Sequence, residues 1–359
     1  MLLQERQLVE PWARNGHLKV VPAAGAVLDA QLRRFGKRTF EQRLEGIDRH
    51  SAHASHADRY AGGVRRLYGG SLLLSVLLLA SGLGSATASF PGRVGRIVFQ
   101  RTVKKNIDIY TMTAAGKSKK RLTKAKAQDK WPVWSGDGKR IAFTRSAPGG
   151  DGVWTMTAAG KSVRRLAADG WDPTWASDGS RVAFASDREG NDDIYVASAE
   201  GGPATNVTNA PSSELDPSWS PDGTKIAFAS SRNDPTGDTY DLYVVHADGT
   251  GLTQLTSGPE DDAVPNWSPD GSRIVFVRGE GDNVNVWVAN ADGTNAHRVT
   301  TSGNDYDPAW SPDGARIVFS SYRQGRTGEI YVVNADGTGL VRLTRDKYDD
   351  QAPDWQPLP

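Results

Sequence analysis

The segment DPSWSPDGTKIAF at residues 216–228 decides the fold, because close copies of it recur along the chain. Each copy has a proline two residues before a tryptophan. In most copies a turn signal and a short apolar stretch follow. The six tryptophans are Trp134, Trp175, Trp219, Trp267, Trp310 and Trp355. Regular repetition at intervals of 41 to 48 residues indicates one repeat architecture rather than several unrelated domains.

Each repeat predicts four short β-strands. In the repeat that contains Trp219, the tryptophan strand leads through SPDG at 220–223 to the apolar strand IAF at 226–228. The strands DLYVV at 241–245 and QLT at 254–256 follow, separated by an ADG turn. β-Branched and aromatic residues favour strands, and Asp-Gly favours tight turns. Four strands in about 43 residues match one blade of a β-propeller.

The order of the strands predicts how the ring closes. We name the strands of a repeat A to D, starting with the tryptophan strand. The first apolar strand, at 97–99, is then a B strand, and the last strand, ending at Trp355, is an A strand. We therefore predict an all-β chain, with a six-bladed propeller over residues 97–356 whose C-terminal strand completes the first blade. An open solenoid is the alternative, and it has no need of such an unmatched last strand.

The repeat pattern D-x-x-P-x-W-S-P-D-G-x-x-I-A-F, followed by D-I-Y-V, A-D-G and L-T, resembles the TolB-like propeller repeat. Gly136 replaces the turn proline in the second blade, and Ala176 and Ser177 depart from the pattern in the third. The resemblance implies a six-bladed propeller outside the cytoplasm. It does not imply the Tol transport role, because TolB has an α/β domain before its propeller and residues 89–96 are too few to form one.

An apolar segment before the repeats predicts export. Arg65 and Arg66 precede the run SLLLSVLLLASGLG at 71–84, and Ala86-Thr87-Ala88 follows it. This order is typical of a secretory signal peptide, and the run is short for a membrane span. We predict a signal peptide over 64–88 that is cleaved after Ala88, which gives a secreted or periplasmic protein. A retained signal anchor is the alternative.

Residues 1–63 do not fit a signal peptide, because such peptides begin close to their arginines. We expect these residues to be disordered or absent from the mature protein. Either translation starts at Val64, or residues 1–63 form a cytoplasmic tail on a signal anchor. Residues 89–96 are interpreted as a linker.

Charge and composition exclude several classes of function. Residues 89–359 carry 31 Lys/Arg and 35 Asp/Glu, so a nucleic-acid partner is not expected. The chain has no cysteine, which excludes disulfides, thiolate metal sites and a cysteine nucleophile. It also has no G-x-S-x-G, P-loop or H-E-x-x-H motif.

Candidate metal ligands are few. His246 and His297 lie in different repeats, beside predicted turns. The pairs Asp261-Asp262 and Asp349-Asp350 offer oxygen ligands that suit Ca²⁺, but without a spaced loop motif. We therefore expect no cofactor.

Charged residues recur where the longer B–C and D–A loops are predicted to share one rim. The arginines follow the B-strand phenylalanine, and the aspartates directly precede the A-strand proline. The predicted rim residues are Arg145, Arg188, Arg232, Arg278, Arg323, Asp172, Asp216 and Asp307. They are expected to meet near the mouth of the central channel. Two interpretations remain open: ion pairs that lock neighbouring blades together, or a polar funnel that receives a ligand.

The repeated tryptophans are expected to fill the wedge between neighbouring sheets, with ligand stacking as the alternative. Variable loops on a rigid scaffold favour binding. We therefore expect a monomeric extracytoplasmic scaffold that binds a protein or peptide through the long-loop rim and channel mouth, with membrane contact only through an uncleaved signal segment. The alternatives are a hydrolase or lyase that acts on a saccharide with rim carboxylates, and a structural or sensory role.

Overall fold

The computed structural model describes residues 93–359, except residues 149, 235, 238, 282 and 302. The predicted N-terminal segments 1–63 and 64–88 lie outside the described residues. All regular structure in the described part is β-strand. No helix in that part is long and apolar enough to cross a membrane.

The described residues form 24 strands in six four-stranded antiparallel sheets, which confirms the predicted six-bladed propeller. Blade 1 contains β24 (Asp349–Leu358), β1 (Arg93–Val103), β2 (Asn106–Thr113) and β3 (Lys120–Arg121). Blade 2 contains β4 (Gln128–Trp134), β5 (Arg140–Ala147), β6 (Gly150–Thr157) and β7 (Arg164–Ala168). Blade 3 contains β8 (Trp171–Trp175), β9 (Arg181–Ser186), β10 (Asp193–Ser198) and β11 (Ala204–Asn206).

The remaining blades repeat this order of A, B, C and D strands. Blade 4 contains β12 (Glu214–Trp219), β13 (Lys225–Ser230), β14 (Asp241–His246) and β15 (Thr253–Gln254). Blade 5 contains β16 (Asp261–Trp267), β17 (Arg273–Glu280), β18 (Asn283–Asn290) and β19 (His297–Arg298). Blade 6 contains β20 (Asp305–Trp310), β21 (Arg316–Ser321), β22 (Glu329–Asn334) and β23 (Val341–Arg342).

The last strand closes the ring as the sequence predicts. β24 pairs antiparallel with β1, and the register places Ile97 opposite Trp355 and Arg93 opposite Leu358. This pairing removes two open sheet edges. β1 begins at Arg93, so residues 93–96, which the sequence assigned to a linker, belong to the first strand. Residues 93–359 therefore contain a closed ring with its own core.

Each repeated tryptophan lies between two blades. Trp134 packs against Val98 and Ile109 of blade 1, and Trp310 packs against Val275 and Val286 of blade 5. Trp355 packs in the same way against Val318 of blade 6. Among the described residues, the indole Nε1 of all six is buried and has no hydrogen-bond acceptor. The apolar area of the ring, rather than its N–H group, therefore holds neighbouring sheets together.

The connections divide the propeller into two rims. The A–B and C–D turns form the short-turn rim, and their lengths are nearly uniform from blade to blade. The B–C and D–A connections form the long-loop rim. They vary from the two residues Lys104-Lys105 in blade 1 to residues 231–240 in blade 4. The A strands line the channel that joins the two rims.

Candidate functional site

The channel opens on the long-loop rim through a ring of six residues, one from each A strand, that directly precede the repeated proline. We call it the channel-mouth ring. Its members are Trp131, Asp172, Asp216, Val264, Asp307 and Ala352. Each adopts a left-handed backbone conformation, with φ between 48° and 54°. A bulge against the B strand accompanies this conformation in every blade.

Left-handed backbone is uncommon for residues other than glycine, and bulges change the direction of a side chain. Six equivalent bulges therefore place one side chain per blade at the channel mouth. The ring and the residues below it line a cavity of about 120 Å³. A cavity of this size holds several water molecules or one small ligand group.

Side chains of neighbouring blades hold the ring in place. The backbone N–H of Trp131 donates to Gln100 Oε1 of blade 1 at 2.9 Å. The backbone N–H of Asp172 donates to Thr144 Oγ1 of blade 2 at 3.1 Å. The backbone N–H of Ala352 of blade 1 donates to Asp307 Oδ2 of blade 6 at 3.3 Å. The ring is thus a preorganised part of the fold, and the predicted aspartates Asp172, Asp216 and Asp307 all belong to it.

The predicted arginines are packed between aromatic rings. Each guanidinium lies within 6 Å of a B-strand phenylalanine and a C-strand tyrosine or tryptophan. These aromatic pairs are Phe143 and Trp154 for Arg145, Phe184 and Tyr195 for Arg188, Phe228 and Tyr243 for Arg232, Phe276 and Trp287 for Arg278, and Phe319 and Tyr331 for Arg323. Arg188 is exposed and the other four arginines are half-buried, where cation–π contacts of this kind favour the charged side chain.

Four of these arginines also form ion pairs, with acids that the sequence analysis did not assign to them. The nitrogen–oxygen distances are 2.6 Å for Arg145–Asp129, 3.3 Å for Arg232–Glu214, 2.6 Å for Arg278–Asp262 and 2.8 Å for Arg323–Asp305. Both partners of each pair lie in the same blade. These four ion pairs therefore brace individual sheets and do not link neighbouring blades, as one of the two open interpretations would require.

Arg188 lacks a carboxylate partner of this type because Gly170 occupies the equivalent position of the A strand. Its guanidinium instead donates to the backbone carbonyls of Ala168 and Asp169, at 3.1 Å and 2.9 Å. These carbonyls belong to blade 2 and to the connection that follows it. Here the arginine does bridge two blades.

The sequence contained a signal for the missed residues. Arg101 follows Phe99 at the same offset as Arg145 follows Phe143, and it pairs with Asp350 at 2.6 Å. The paired acids all lie three residues before the repeated proline. Aligning the repeats at this position would have identified both sets.

A second group of acids lies on the long-loop rim between blades 4 and 5. Burial raises the pKa of Asp261 to about 7, and the charges of Asp262, Asp216 and Asp241 act in the same direction. The backbone N–H of Tyr240 donates to Asp261 Oδ1 at 2.9 Å. Burial also raises the pKa of Tyr240 to about 12. Asp261 can therefore exchange a proton near neutral pH beside the channel-mouth ring.

Deeper in the channel, polar side chains link the A strands. The backbone N–H of Trp134 donates to Asp354 Oδ2 at 2.7 Å, and the backbone N–H of Trp310 donates to Asn266 Oδ1 at 3.1 Å. Burial raises the pKa of Asp354 to about 7, although hydrogen bonds from the backbone N–H groups of Trp134 and Trp355 oppose the shift.

Candidate metal ligands remain apart in the structure. Within residues 93–359, apart from the five omitted positions, no three His, Asp or Glu side chains are grouped as a metal site. His246 and His297 are exposed at the ends of strands on the short-turn rim. Asp262 and Asp350 are bound to Arg278 and Arg101.

Solved structures share this fold at low sequence identity. TolB from Acinetobacter baumannii aligns with a TM-score of 0.64 at 21% identity, over 73% of this chain and 67% of that one. A putative TolB from Agrobacterium tumefaciens aligns with a TM-score of 0.59 at 23% identity, over 73% and 92%. An oligogalacturonate lyase from Vibrio parahaemolyticus aligns with a TM-score of 0.50 at 14% identity, over 73% and 78%.

A comparison of the sequence with curated proteins gave no match. Residues 170–358, more than half of the chain, match the family described as the TolB beta propeller domain. The matched residues include the A strands of blades 3 to 6 and the strand that closes blade 1. The chain belongs to the TolB β-propeller family.

Proposed function

We propose that this propeller is an extracytoplasmic scaffold that binds a protein or peptide partner at its long-loop rim and channel mouth. The channel-mouth ring is the observation that carries the proposal. The fold fixes six backbone positions there, while the side chains differ from blade to blade. A rigid frame that carries variable side chains and loops is the usual basis of a binding site.

The chemistry of the ring suggests the kind of partner. Trp131, Val264 and Ala352 contribute apolar surface, and Asp172 and the other two aspartates contribute negative charge. A peptide segment that carries both apolar and basic side chains matches such a lining. Tryptophan at the opening also supports protein binding, because aromatic residues are enriched at interfaces.

The extracytoplasmic part of the proposal rests on the predicted signal peptide at 64–88. Export would place the propeller in the envelope, so its partner is expected there. Mass spectrometry of the mature N-terminus tests this part separately. A mature chain that begins at Ser89 supports export and cleavage, and one that retains the apolar run favours the anchor.

Affinity capture from the envelope tests the binding site. The test variant carries Asp172→Asn, Asp216→Asn and Asp307→Asn, because asparagine tolerates left-handed backbone. The control variant removes three exposed acids of the short-turn rim, with Asp248→Asn, Asp292→Asn and Asp336→Asn. We expect one companion protein to be retained by the wild type and the control and lost from the test variant. Equal recovery with both variants would contradict the assignment of the site.

A second candidate is a propeller enzyme that acts on a saccharide. The raised pKa of Asp261, with Asp216 and Tyr240 beside it, favours this candidate, because a group that titrates near pH 7 suits proton transfer. The likeness to an oligogalacturonate lyase concerns the fold alone. Turnover of a glycan panel that is abolished by Asp261→Asn would establish the enzyme. Absence of turnover by the wild type would eliminate it.

A further inference from the structure

The charge of the propeller is divided between its two parts. Residues 93–170, which form most of blades 1 and 2, carry 18 Lys/Arg and 5 Asp/Glu. Residues 171–359 carry 13 Lys/Arg and 30 Asp/Glu. The small net charge of the propeller is therefore the sum of a strongly basic sector and an acidic one. Charge segregation of this kind creates a local field that attracts anionic surfaces.

Part of the basic sector lies on the short-turn rim. Lys117 and Lys161 lie in the C–D turns of blades 1 and 2, and Lys139 lies in the A–B turn of blade 2. Arg93 begins β1 on the same rim. All four side chains are exposed. We call these four residues the basic rim patch.

The internal repeat shows that the turns themselves do not require these lysines. Blades 4, 5 and 6 have Asp-Gly-Thr where blades 1 and 2 have Ala-Gly-Lys. In blade 4, Asp248 accepts hydrogen bonds from the backbone N–H and the hydroxyl of Thr250. In blade 1 the turn is held instead by Thr113, whose Oγ1 accepts from the N–H of Lys117 at 3.1 Å.

The backbone is the same in both kinds of turn. The N–H of Gly116 donates to Thr113 O at 2.8 Å, and the N–H of Gly249 donates to His246 O at 2.8 Å. The two glycines have φ of 75° and 85°. One turn geometry thus carries negative charge in three blades and positive charge in two. The two kinds of turn therefore differ in the charge that they expose on the short-turn rim and not in their backbone.

The chain enters the propeller through this rim. Arg93 follows the apolar run at 71–84 and the expected cleavage position after Ala88 within a few residues. Under the proposed export, on which this step rests, the short-turn rim of blade 1 would be the part of the propeller next to the membrane. The A–B turn of blade 2 exposes Asp137, as the A–B turns of the later blades expose Asp222 and Asp270. The C–D turns of blades 1 and 2 carry no acid, whereas that of each other blade carries one, from Glu200 in blade 3 to Asp336 in blade 6, so the C–D turns of blades 1 and 2 suit an anionic surface best.

We propose that the basic rim patch docks the propeller on an anionic phospholipid bilayer, with the long-loop rim facing away from the membrane. Each lysine near such a surface contributes about 1 kcal/mol at low salt, and the attraction decays within about 10 Å. The turns of the short-turn rim have nearly equal lengths, so several of them contact a flat membrane surface at once. The connections of the long-loop rim differ in length and do not. This contact is distinct from the partner site and leaves that site accessible.

Vesicle co-sedimentation tests the proposal with residues 89–359, which include the whole closed ring. The probes are phosphatidylglycerol in phosphatidylcholine, and phosphatidylcholine alone. The test variant carries Ala115→Asp, Lys117→Thr, Ala159→Asp and Lys161→Thr. It introduces the Asp-Gly-Thr turn that blades 4 to 6 already use, so the fold is expected to be retained.

The matched control carries Lys104→Gln, Lys105→Gln, Lys124→Gln and Lys126→Gln on the long-loop rim. Both variants lower the net charge by the same amount. We expect the wild type and the control to bind only the anionic vesicles, with weaker binding at about 0.15 M salt. The test variant is expected to bind at least about tenfold more weakly.

Three results would overturn the proposal. The first is equal loss of binding by the control, which would show that total charge rather than the patch matters. The second is equal binding of the wild type to both kinds of vesicle, or to neither. The third is binding of the wild type to duplex DNA without binding to vesicles, which would assign the basic sector to nucleic acid. A thermal unfolding midpoint within the range of the wild type confirms that each variant is folded.

Discussion

The carboxylate of Asp354, on the last strand of the chain, accepts a hydrogen bond from the backbone N–H of Trp134 at 2.7 Å. Asp354 belongs to blade 1 and Trp134 to blade 2, so the closing strand also fastens blade 1 to its neighbour. The same contact exists between blades 5 and 6, where Asn266 accepts from the N–H of Trp310. A neutral amide therefore suffices to accept this hydrogen bond. The buried carboxylate of Asp354 in addition makes the stability of the fold depend on pH.

Asp354→Asn is expected to stabilise the propeller at pH 8 and to have little effect below pH 4. The folded-state pKa of Asp354 is about 7, above its usual value of 3.8, so the folded state retains this proton longer than the unfolded state. The free energy of unfolding of the wild type therefore falls as the pH rises from about 4 to about 7. The variant lacks this fall and gains roughly 1–3 kcal/mol at pH 8. Urea unfolding of both proteins across this pH range measures the difference, and parallel profiles would contradict the prediction.

Trp355→Ala is expected to lower the free energy of unfolding by about 3–5 kcal/mol, because it empties the wedge between blades 6 and 1. Trp355→Phe is expected to cost clearly less. The indole N–H has no acceptor, so phenylalanine loses ring area but no hydrogen bond. Denaturant unfolding of the two variants gives both values. An equal cost for the two would show that the N–H group does contribute.

Arg278→Ala is expected to destabilise the protein by about 3–5 kcal/mol, because it leaves the carboxylate of Asp262 buried without its cation. Arg188→Ala is the matched comparison. It removes a similar aromatic stack but leaves backbone carbonyls rather than a carboxylate behind. Its cost is expected to be smaller by at least about 1 kcal/mol. Thermal unfolding ranks the two variants, and the reverse order would show that stacking rather than the ion pair dominates.

Val264→Asn is expected to stabilise the propeller by about 0.5–1 kcal/mol. Val264 has a φ of 54°, which is unfavourable for a β-branched side chain and acceptable for asparagine. Val133→Asn is the control, because Val133 also lines the channel but lies outside the left-handed positions. Denaturant unfolding gives the free energy of unfolding of each variant. A loss of stability in Val264→Asn would mean that the apolar contacts of Val264 outweigh its backbone strain.

The sequence predicted the blades and their closure because both depend on local patterns. The spacing of the tryptophans from Trp134 to Trp355 indicated the length of the repeat. The unmatched last strand indicated that β24 pairs with β1. The left-handed conformation at the channel mouth was not predictable from residue type, because Trp131 and Val264 occupy it as well as aspartates. The bulge sets this conformation, and it arises from pairing with the B strand rather than from local propensity.

The candidate site was predicted in part. Asp172, Asp216 and Asp307 were assigned to the channel mouth because their position before the proline is constant. The partners of the arginines were missed, because Arg278 and Asp262 are neighbours only across two paired strands. The raised pKa of Asp261 depends on burial and on acids from two blades, which no single repeat reveals.

The antiparallel pairing of Arg93 with Leu358 brings the first and last residues of the described propeller to one place on the ring. A tag or cargo fused directly before Arg93 or after Pro359 would project from the same face, and the opposite face would remain clear for immobilised ligands. Tension between the two ends would load a single strand pair and peel β24 from β1. Mechanical opening of the ring would therefore start at blade 1.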